Sequence, residues 1–338
     1  MKLLTFAVPC YNSQDYMARC VDTLLTGGDR VEIILVDDGS TDNTGAIADR
    51  YAEEHPDIVK VIHQPNQGHG AGVNAGLDNA TGLYYKVVDS DDWLDTGSLE
   101  RLLDQLEAWH HAETRVDMVV CNYVYDHLHE GKQSSMGYRN IFPAGKICGW
   151  EDTGRFGPSQ YLIMHALIFR TQLLRDSGVR LPVHTFYVDN LFAYKPLPLV
   201  ETICYLDMDL YHYFLGRDDQ SVNESVLMRR IDQQIKVNKL VAESVDLKTV
   251  RSPKLARYMT RNVSIMTSIS SIHLLLIGTP EALEKRRELW EYMDRLDPTL
   301  YKKLRYHCLS GFTYLPGSFG RWLTLTGYRL ARRVVQFQ

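Results

Sequence analysis

Three carboxylates flank a serine in Asp89-Ser90-Asp91-Asp92, directly after the apolar run Leu83-Tyr84-Tyr85-Lys86-Val87-Val88. A run of that length and composition reads as a buried strand. Open α/β sheets bind ligands in the crevice beyond the carboxyl ends of their parallel strands. Oxygen ligands gathered there suit a hard divalent cation and the phosphates it neutralises. An isolated Asp-x-Asp is as readily a solvated acidic turn, so the reading depends on what the sequence places at the other strand ends.

Three upstream segments carry related chemistry. Phe6-Ala7-Val8-Pro9-Cys10-Tyr11-Asn12 reads as a strand that runs into a helix near Gln14, and it leaves Tyr11 able to lie flat beneath a base. Val31-Glu32-Ile33-Ile34-Leu35-Val36 is followed by Asp37-Asp38-Gly39-Ser40-Thr41-Asp42. Ser40 to Asp42 suit the N-cap of the next helix, but capping does not require two carboxylates at the strand tip. Asn66-Gln67-Gly68-His69-Gly70-Ala71-Gly72-Val73-Asn74-Ala75-Gly76 follows the strand Val59-Lys60-Val61-Ile62, and its glycines predict close approach of backbone to a ligand. The four tips arrive in β-α-β-α-β-α-β order within about the first 90 residues, the spacing of a parallel sheet.

With Ala80-Thr81-Gly82 added, these segments resemble the inverting glycosyltransferases of family 2. The resemblance implies an α/β fold of the GT-A (Rossmann-like) type, a mixed sheet flanked by helices. It places Pro9, Tyr11, Asn12 and Asp38 at the nucleotide, with Asp38 accepting from the uracil ring N–H. Gly68, Asn74 and Ser90 join the donor site by the same resemblance. Asp89 and Asp91 match the family's Asp-x-Asp and are implied to hold Mn²⁺ or Mg²⁺ across the diphosphate, with Asp92 supporting them from behind. Many relatives carry Arg-Asn where this chain has Val73-Asn74, which removes a guanidinium from the base or diphosphate, and His69 is a candidate to replace it.

Phe186-Tyr187-Val188-Asp189-Asn190-Leu191-Phe192 has the form of the family's Glu-Asp-x-x-Phe element with Val188 in place of Glu, which makes Asp189 the catalytic-base candidate. A carboxylate there would take the acceptor hydroxyl's proton during displacement with inversion. The alternative is an Asp that only caps the helix from Asn190 to Tyr194. Leu210-Tyr211-His212-Tyr213-Phe214 resembles the family's aromatic strand, and Arg217 in the loop after it is implied to meet the donor phosphates.

Of the 338 residues, 45% are hydrophobic and 23% charged, enough for a sizeable core and too many residues for a nucleotide-binding half alone. A net charge of -5, with no basic aromatic stripe in the first 220 residues, argues against nucleic acid as a partner. Six cysteines show no Cys-x-x-Cys pair, which fits a reducing cytosol. No leader-like segment follows Met1-Lys2, so the expectation is a cytoplasmic protein, peripheral at most to the inner face of the cell membrane. The longest uncharged stretch, Asn262 to Pro280, is too rich in Ser and Thr to span a bilayer and predicts a buried helix.

Leu99, Leu102, Leu103 and Leu106 predict a helix, and Val116 to Cys121 the next strand. Residues 125 to 160 read as loop-rich and acceptor-facing, and Tyr161 to Phe169 as a strand enclosing His165. From residue 221 the pattern is helical, with Thr279-Pro280-Glu281 opening a helix to Leu296. The chain thus divides into a catalytic part, 1–220, and a helical part, 221–338, whose basic aromatic tail from Arg321 could touch an anionic membrane surface. Four arginines at about 1 kcal/mol each make that contact weak.

These features predict a metal-dependent transferase moving one hexose or N-acetylhexosamine from a UDP-sugar to a glycan or lipid-linked acceptor in cell-surface polysaccharide or glycoconjugate synthesis. Two alternatives remain open. A noncatalytic nucleotide-sugar-binding or assembly subunit would keep the fold and lose Asp89, Asp91 or Asp189. A sugar-nucleotide pyrophosphorylase would carry its Gly-rich loop after the first strand, where this chain has Pro9-Cys10-Tyr11-Asn12.

Overall fold

The computed structural model describes residues 1–127, 131–157, 160–215 and 224–334. The chain divides into two compact units, Met1–Arg217 and Asp218–Gln338. The first opens with β1 (Leu4–Cys10), α1 (Met17–Leu25), β2 (Val31–Asp37), α2 (Thr44–Glu54), β3 (Val59–His63), α3 (His69–Asn79) and β4 (Tyr84–Val87). These four strands pair with one another in parallel in the order β3-β2-β1-β4, and every residue of β1 and β2 is buried. Helix α1 buries Met17, Cys20, Val21 and Leu24, the i, i+3, i+4, i+7 stripe of a helix on a sheet.

β5 (Trp93–Leu94), α4 (Thr96–His111), β6 (Met118–His127), β7 (Lys132–Met136), β8 (Ile147–Cys148), β9 (Leu167–Arg170), α5 (Thr171–Asp176), α6 (Asp189–Tyr194) and β10 (Ile203–Leu215) complete this unit. The sheet order is β3-β2-β1-β4-β9-β6-β10-β5, with β7 on β6 and β8 on β10. β9 lies antiparallel between β4 and β6, which makes the sheet mixed. α4 starts at an Asp95 cap that accepts from Ser98 N at 2.7 Å, and it buries Leu99, Leu102, Leu103 and Leu106.

The structure corrects two expectations. Tyr161 to Phe169 is not one strand: Met164–Ala166 forms a 3₁₀ turn, and pairing begins at Leu167. The buried Lys86 ammonium accounts for the turn, because it captures the His165 carbonyl at 2.6 Å and removes that oxygen from any ladder. The segment from 125 to 160 is less irregular than expected, since β7 and β8 lie within it and Tyr138, Phe142 and Trp150 are buried.

The second unit holds α7 (Glu224–Arg229), α8 (Ile231–Glu243), α9 (Pro253–Ile277), α10 (Pro280–Leu296), α11 (Pro298–Tyr306) and α12 (Gly317–Val334). The uncharged stretch forms the inner part of α9, whose Ser and Thr are satisfied by neighbours: Ser264 meets Ser310 at 2.9 Å, and Ser271 accepts from the Trp290 indole at 3.1 Å. Thr279 caps α10 by accepting from Ala282 N at 3.2 Å.

Candidate active site

The carboxyl ends of β1, β2 and β4 are laced together by short polar side chains. Asn12 occupies the left-handed region with φ 48°, donates its N–H to Ser40 Oγ at 3.0 Å and accepts from Thr41 N at 2.9 Å. The Ser13 and Ser90 hydroxyls lie 2.7 Å apart, which ties the first tip to the acidic motif. Tyr11 is 52% exposed, while Pro9 is buried within β1 against Gly72, so Tyr11 is the open ring at this tip. The N-cap of α2 is Asn43 rather than one of Ser40 to Asp42, and Asp42, one residue earlier, accepts from Thr44 N at 2.9 Å through Oδ1.

The two aspartates ending β2 are engaged by protein groups. Asp37 accepts from Ser40 N at 3.1 Å and faces His63 Nδ1 at 3.0 Å. Burial raises its carboxyl, and these partners outweigh burial and hold it below the ordinary range. Asp38 accepts from Gln64 Nε2 at 2.7 Å, Gln67 N at 2.9 Å and Gly68 N at 2.7 Å. Its side chain anchors the loop before α3, so a base N–H would have to share an oxygen already in use.

The glycine-rich segment is mostly helix. Gly68 needs its φ of +86° to turn the chain into α3, and a Cβ there would press on the His184 backbone. Gly70, Gly72 and Gly76 instead let α3 lie close on Leu181, Pro9 and Ala7, so these glycines serve packing rather than approach to a ligand. Asn74 likewise differs from its expected donor contact. Its amide donates to Leu181 O at 2.8 Å and accepts from Leu181 N at 3.0 Å, pinning the segment that leads to Asp189.

The acidic motif sits in the turn between β4 and β5. Asp89 Oδ1 bonds His69 Nε2 at 2.7 Å, and the Asp89 N–H donates to the Tyr211 hydroxyl at 3.2 Å. Burial pushes the Asp89 carboxyl up, but His69, His165 and Lys86 together bring it below the ordinary range. Asp92 accepts from Tyr211 Oη at 2.5 Å and Phe214 N at 2.9 Å. Burial, then the charges of Asp91 and Asp89, push the Asp92 carboxyl well above its ordinary value. Trp93 is buried beneath the turn, with the Arg19 guanidinium on one side at 3.1 Å and His212 stacked against it at 5.3 Å.

Asp189 is the first residue of α6, with Val188 at the N-cap, and its carboxylate accepts from the N–H groups of Asp189 and Asn190 at the helix start. Burial raises its carboxyl above the ordinary range, and the charges of His69 and Asp89 act on it in opposite senses. Burial in turn acts to lower the His69 imidazole, and the charges of Asp89, Asp189 and Asp91 outweigh it and raise that group above its ordinary value. The approach to Asp189 is held in an unusual backbone, since His184 and Tyr187 have φ of 47° and 66°.

His165, Lys86 and Tyr211 form the floor. The His165 ring stacks on Tyr211 at 4.8 Å with 7° between planes, and its Nδ1 is buried with no hydrogen-bond partner among the described residues. Burial lowers the Lys86 ammonium to about 8, and the ammonium lies 4.9 Å above the Tyr211 ring. One ligand atom each from Asp89, Asp92 and His165 lies within 4.8 Å of the other two. A cation with ligand bonds of about 2.0–2.6 Å can bridge that spacing, and the unpartnered imidazole nitrogen fits such a donor set.

The expectation named Asp91 rather than Asp92, because spacing along the motif does not reveal which carboxylate the turn aims inward. Lys86 and Tyr211 carried no assigned role in the sequence. A lysine inside an apolar strand run was the available signal for the first. Arg217 lies outside the described residues.

A mixed sheet with polar loops at the carboxyl ends of its first strands and carboxylates after the fourth is the architecture of a GT-A fold. TarS 1–349 of S. aureus, in complex with UDP-GlcNAc, matches with a TM-score of 0.68 at 19% identity, covering 98% of this chain and 92% of that one. The mannosyltransferase PcManGT of Pyrobaculum calidifontis, in complex with GDP-Man and Mn²⁺, matches with a TM-score of 0.52 at 16% identity over 96% of this chain and 86% of that one. Residues 5–159 match the sequence model of Glycosyl transferase family 2. The putative glycosyltransferase EpsH of Bacillus subtilis (strain 168) is 27% identical over 226 residues, 62% of this chain; the match spans only 60% of EpsH itself.

Proposed function

We propose that this chain transfers one hexosyl or N-acetylhexosaminyl group from a UDP-sugar, with inversion, to a glycan or lipid-linked acceptor in polysaccharide or glycoconjugate synthesis. The observation that carries the reading is the cluster of Asp89, Asp92 and His165 just beyond the carboxyl end of β4, with His69 bonded to Asp89 at 2.7 Å. Uridine is favoured because the TarS 1–349 complex holds UDP-GlcNAc on the same fold.

Asp89 and His165 would hold Mn²⁺ or Mg²⁺, completed by Asp91 in the motif reading or by Asp92 in the arrangement observed. When bound, such a cation neutralises the departing diphosphate. Tyr11 offers its open face to the base, and Asn12 and Ser90 fix the loops on either side of it. The acceptor hydroxyl oxygen bonds the anomeric carbon while the carbon–oxygen bond to the diphosphate breaks and its electron pair leaves with that group. Asp189 takes the hydroxyl proton, and its raised affinity for a proton suits that step.

The test is thermal stability with UDP, GDP, CDP and TDP, each with and without Mn²⁺. Ligand at 100 times its dissociation constant stabilises by about 2.7 kcal/mol. A shift with UDP plus Mn²⁺ alone is expected; none with any nucleotide sinks the donor assignment. Repeating the measurement on Asp91→Ala and Asp92→Ala identifies the second carboxylate, since only the variant lacking it loses the metal dependence.

A further inference from the structure

Helix α12 is built inside out. A helix on a water-soluble body buries its large apolar side chains and exposes small or polar ones. Here the buried positions are Gly320 and Thr324: Gly320 lies so close to Leu315 that a Cβ would clash, and the Thr324 hydroxyl donates to Phe312 O at 2.7 Å. The exposed positions are Phe319 (72%), Trp322 (59%), Leu323 and Leu330 (57%). Their spacing of 3, 4 and 11 residues from Phe319 places them on one stripe. Phe319 and Trp322 stack on each other at 5.8 Å, which gives the exposed stripe an aromatic ridge.

Charge selects the occupant. Residues 298–338 contain seven Lys and Arg and no Asp or Glu, on a chain whose net charge is -5. Arg329 is exposed one position before Leu330, at the margin of the stripe. A second copy of this surface would set two like-charged faces against each other, which disfavours self-association. Apolar and aromatic residues on one face with an arginine at its margin, on a basic segment, are the pattern of a helix lying in the interface of an anionic bilayer. No helix among the described residues is long and apolar enough to cross a membrane, so the contact is peripheral.

We infer that α12 docks this protein on an anionic lipid surface by inserting the Phe319–Trp322–Leu323–Leu330 stripe. The neighbouring turn at residues 309–314 exposes Leu309 and Phe312 and extends the apolar area beside the helix. This contact does not depend on the donor or acceptor, and its test involves no turnover.

The full chain is sedimented with vesicles of phosphatidylcholine alone and of phosphatidylcholine with about one-third phosphatidylglycerol. Binding to the anionic vesicles only is expected, falling at least tenfold between about 0.05 and 0.5 M NaCl as charges are screened. Phe319→Ser with Trp322→Ser should reduce it more than tenfold at unchanged melting temperature, and Arg321→Glu with Arg329→Glu should abolish the anionic preference. Should the serine variant fail to fold, brominated lipid should quench fluorescence in the wild type and not in Trp322→Tyr. Absence of sedimentation, equal binding to neutral vesicles, wild-type binding by both double variants, or a dimer that depends on Trp322 would overturn the inference.

Discussion

Glu32 and Asp92 are both buried carboxylates of one sheet, at opposite ends of its parallel strands, and their surroundings are opposite in kind. Glu32, near the start of β2, accepts from Thr5 Oγ1 and Lys60 Nζ at 2.6 Å, Thr81 N at 2.7 Å and Thr81 Oγ1 at 2.9 Å. Asp117, just before β6, accepts from Arg115 Nε at 2.9 Å, Arg170 Nε at 3.2 Å, Glu201 N at 3.0 Å and Thr202 N at 3.3 Å. For both, burial acts to raise the carboxyl and the donors outweigh it. At the other end, Asp92 shares its turn with Asp89 and Asp91, and burial and their charges act together to raise it. A buried acid that is fully satisfied knots the fold, whereas crowded acids weaken it until a cation or proton arrives.

The largest effect expected is on transfer, at the crowded end. Asp189→Asn should lower the rate by about 10²- to 10⁴-fold, the usual contribution of a positioned base, and leave UDP binding and melting nearly unchanged. Wild-type-like turnover in that variant would remove Asp189 from the chemistry. At the satisfied end the loss should fall on stability instead. Asp117→Ala leaves the partly buried Arg170 and the N–H groups of Glu201 and Thr202 without this acceptor, while the half-exposed Arg115 returns to solvent, and should cost about 3 kcal/mol in urea unfolding. A loss under about 1 kcal/mol would show that Asp117 is no knot and that the contrast between the two ends is false.

The same contrast explains what was legible in the sequence. The helix Pro280–Leu296 was readable to the residue, because Thr279, Pro280 and Glu281 act through neighbours along the chain. The strand tips were readable because an apolar run followed by polar residues is also a local pattern. Roles set by partners distant in sequence were not. Asn74 meets Leu181 and Lys86 meets His165, across 107 and 79 residues, and nothing adjacent to either announces it. The glycines after Gly68 were visible as a need for closeness, but a single sequence does not say whether helix or ligand comes close.

A smaller effect tests the crowded end directly. Asp92→Asn keeps an acceptor for Phe214 N and lets the Tyr211 hydroxyl turn to accept from the new amide. Its stability should lie within about 1 kcal/mol of wild type or above it. The pH profile carries the sign. With the folded carboxyl raised, the native state holds a proton that the unfolded chain has released, so wild-type stability falls as pH rises above the ordinary carboxylate range. The variant should lose that fall, and an identical profile would place the repulsion elsewhere.

The smallest effect belongs to Glu32→Gln. Gln keeps one oxygen for Thr5 Oγ1 and Thr81 N and puts an NH2 group where the other oxygen accepts from Lys60 Nζ and Thr81 Oγ1. Lys60 is half exposed and the Thr81 hydroxyl can turn to accept, so the cost at neutral pH should be about 1 kcal/mol. Here the folded carboxyl is lowered, so its contribution is present above the unfolded value and lost as pH falls through the folded one. Wild type and variant should therefore converge in acid, the reverse of the behaviour expected at Asp92. Divergence in acid would mean that Glu32 is also crowded, and that satisfaction by neighbours does not distinguish the two ends of this sheet.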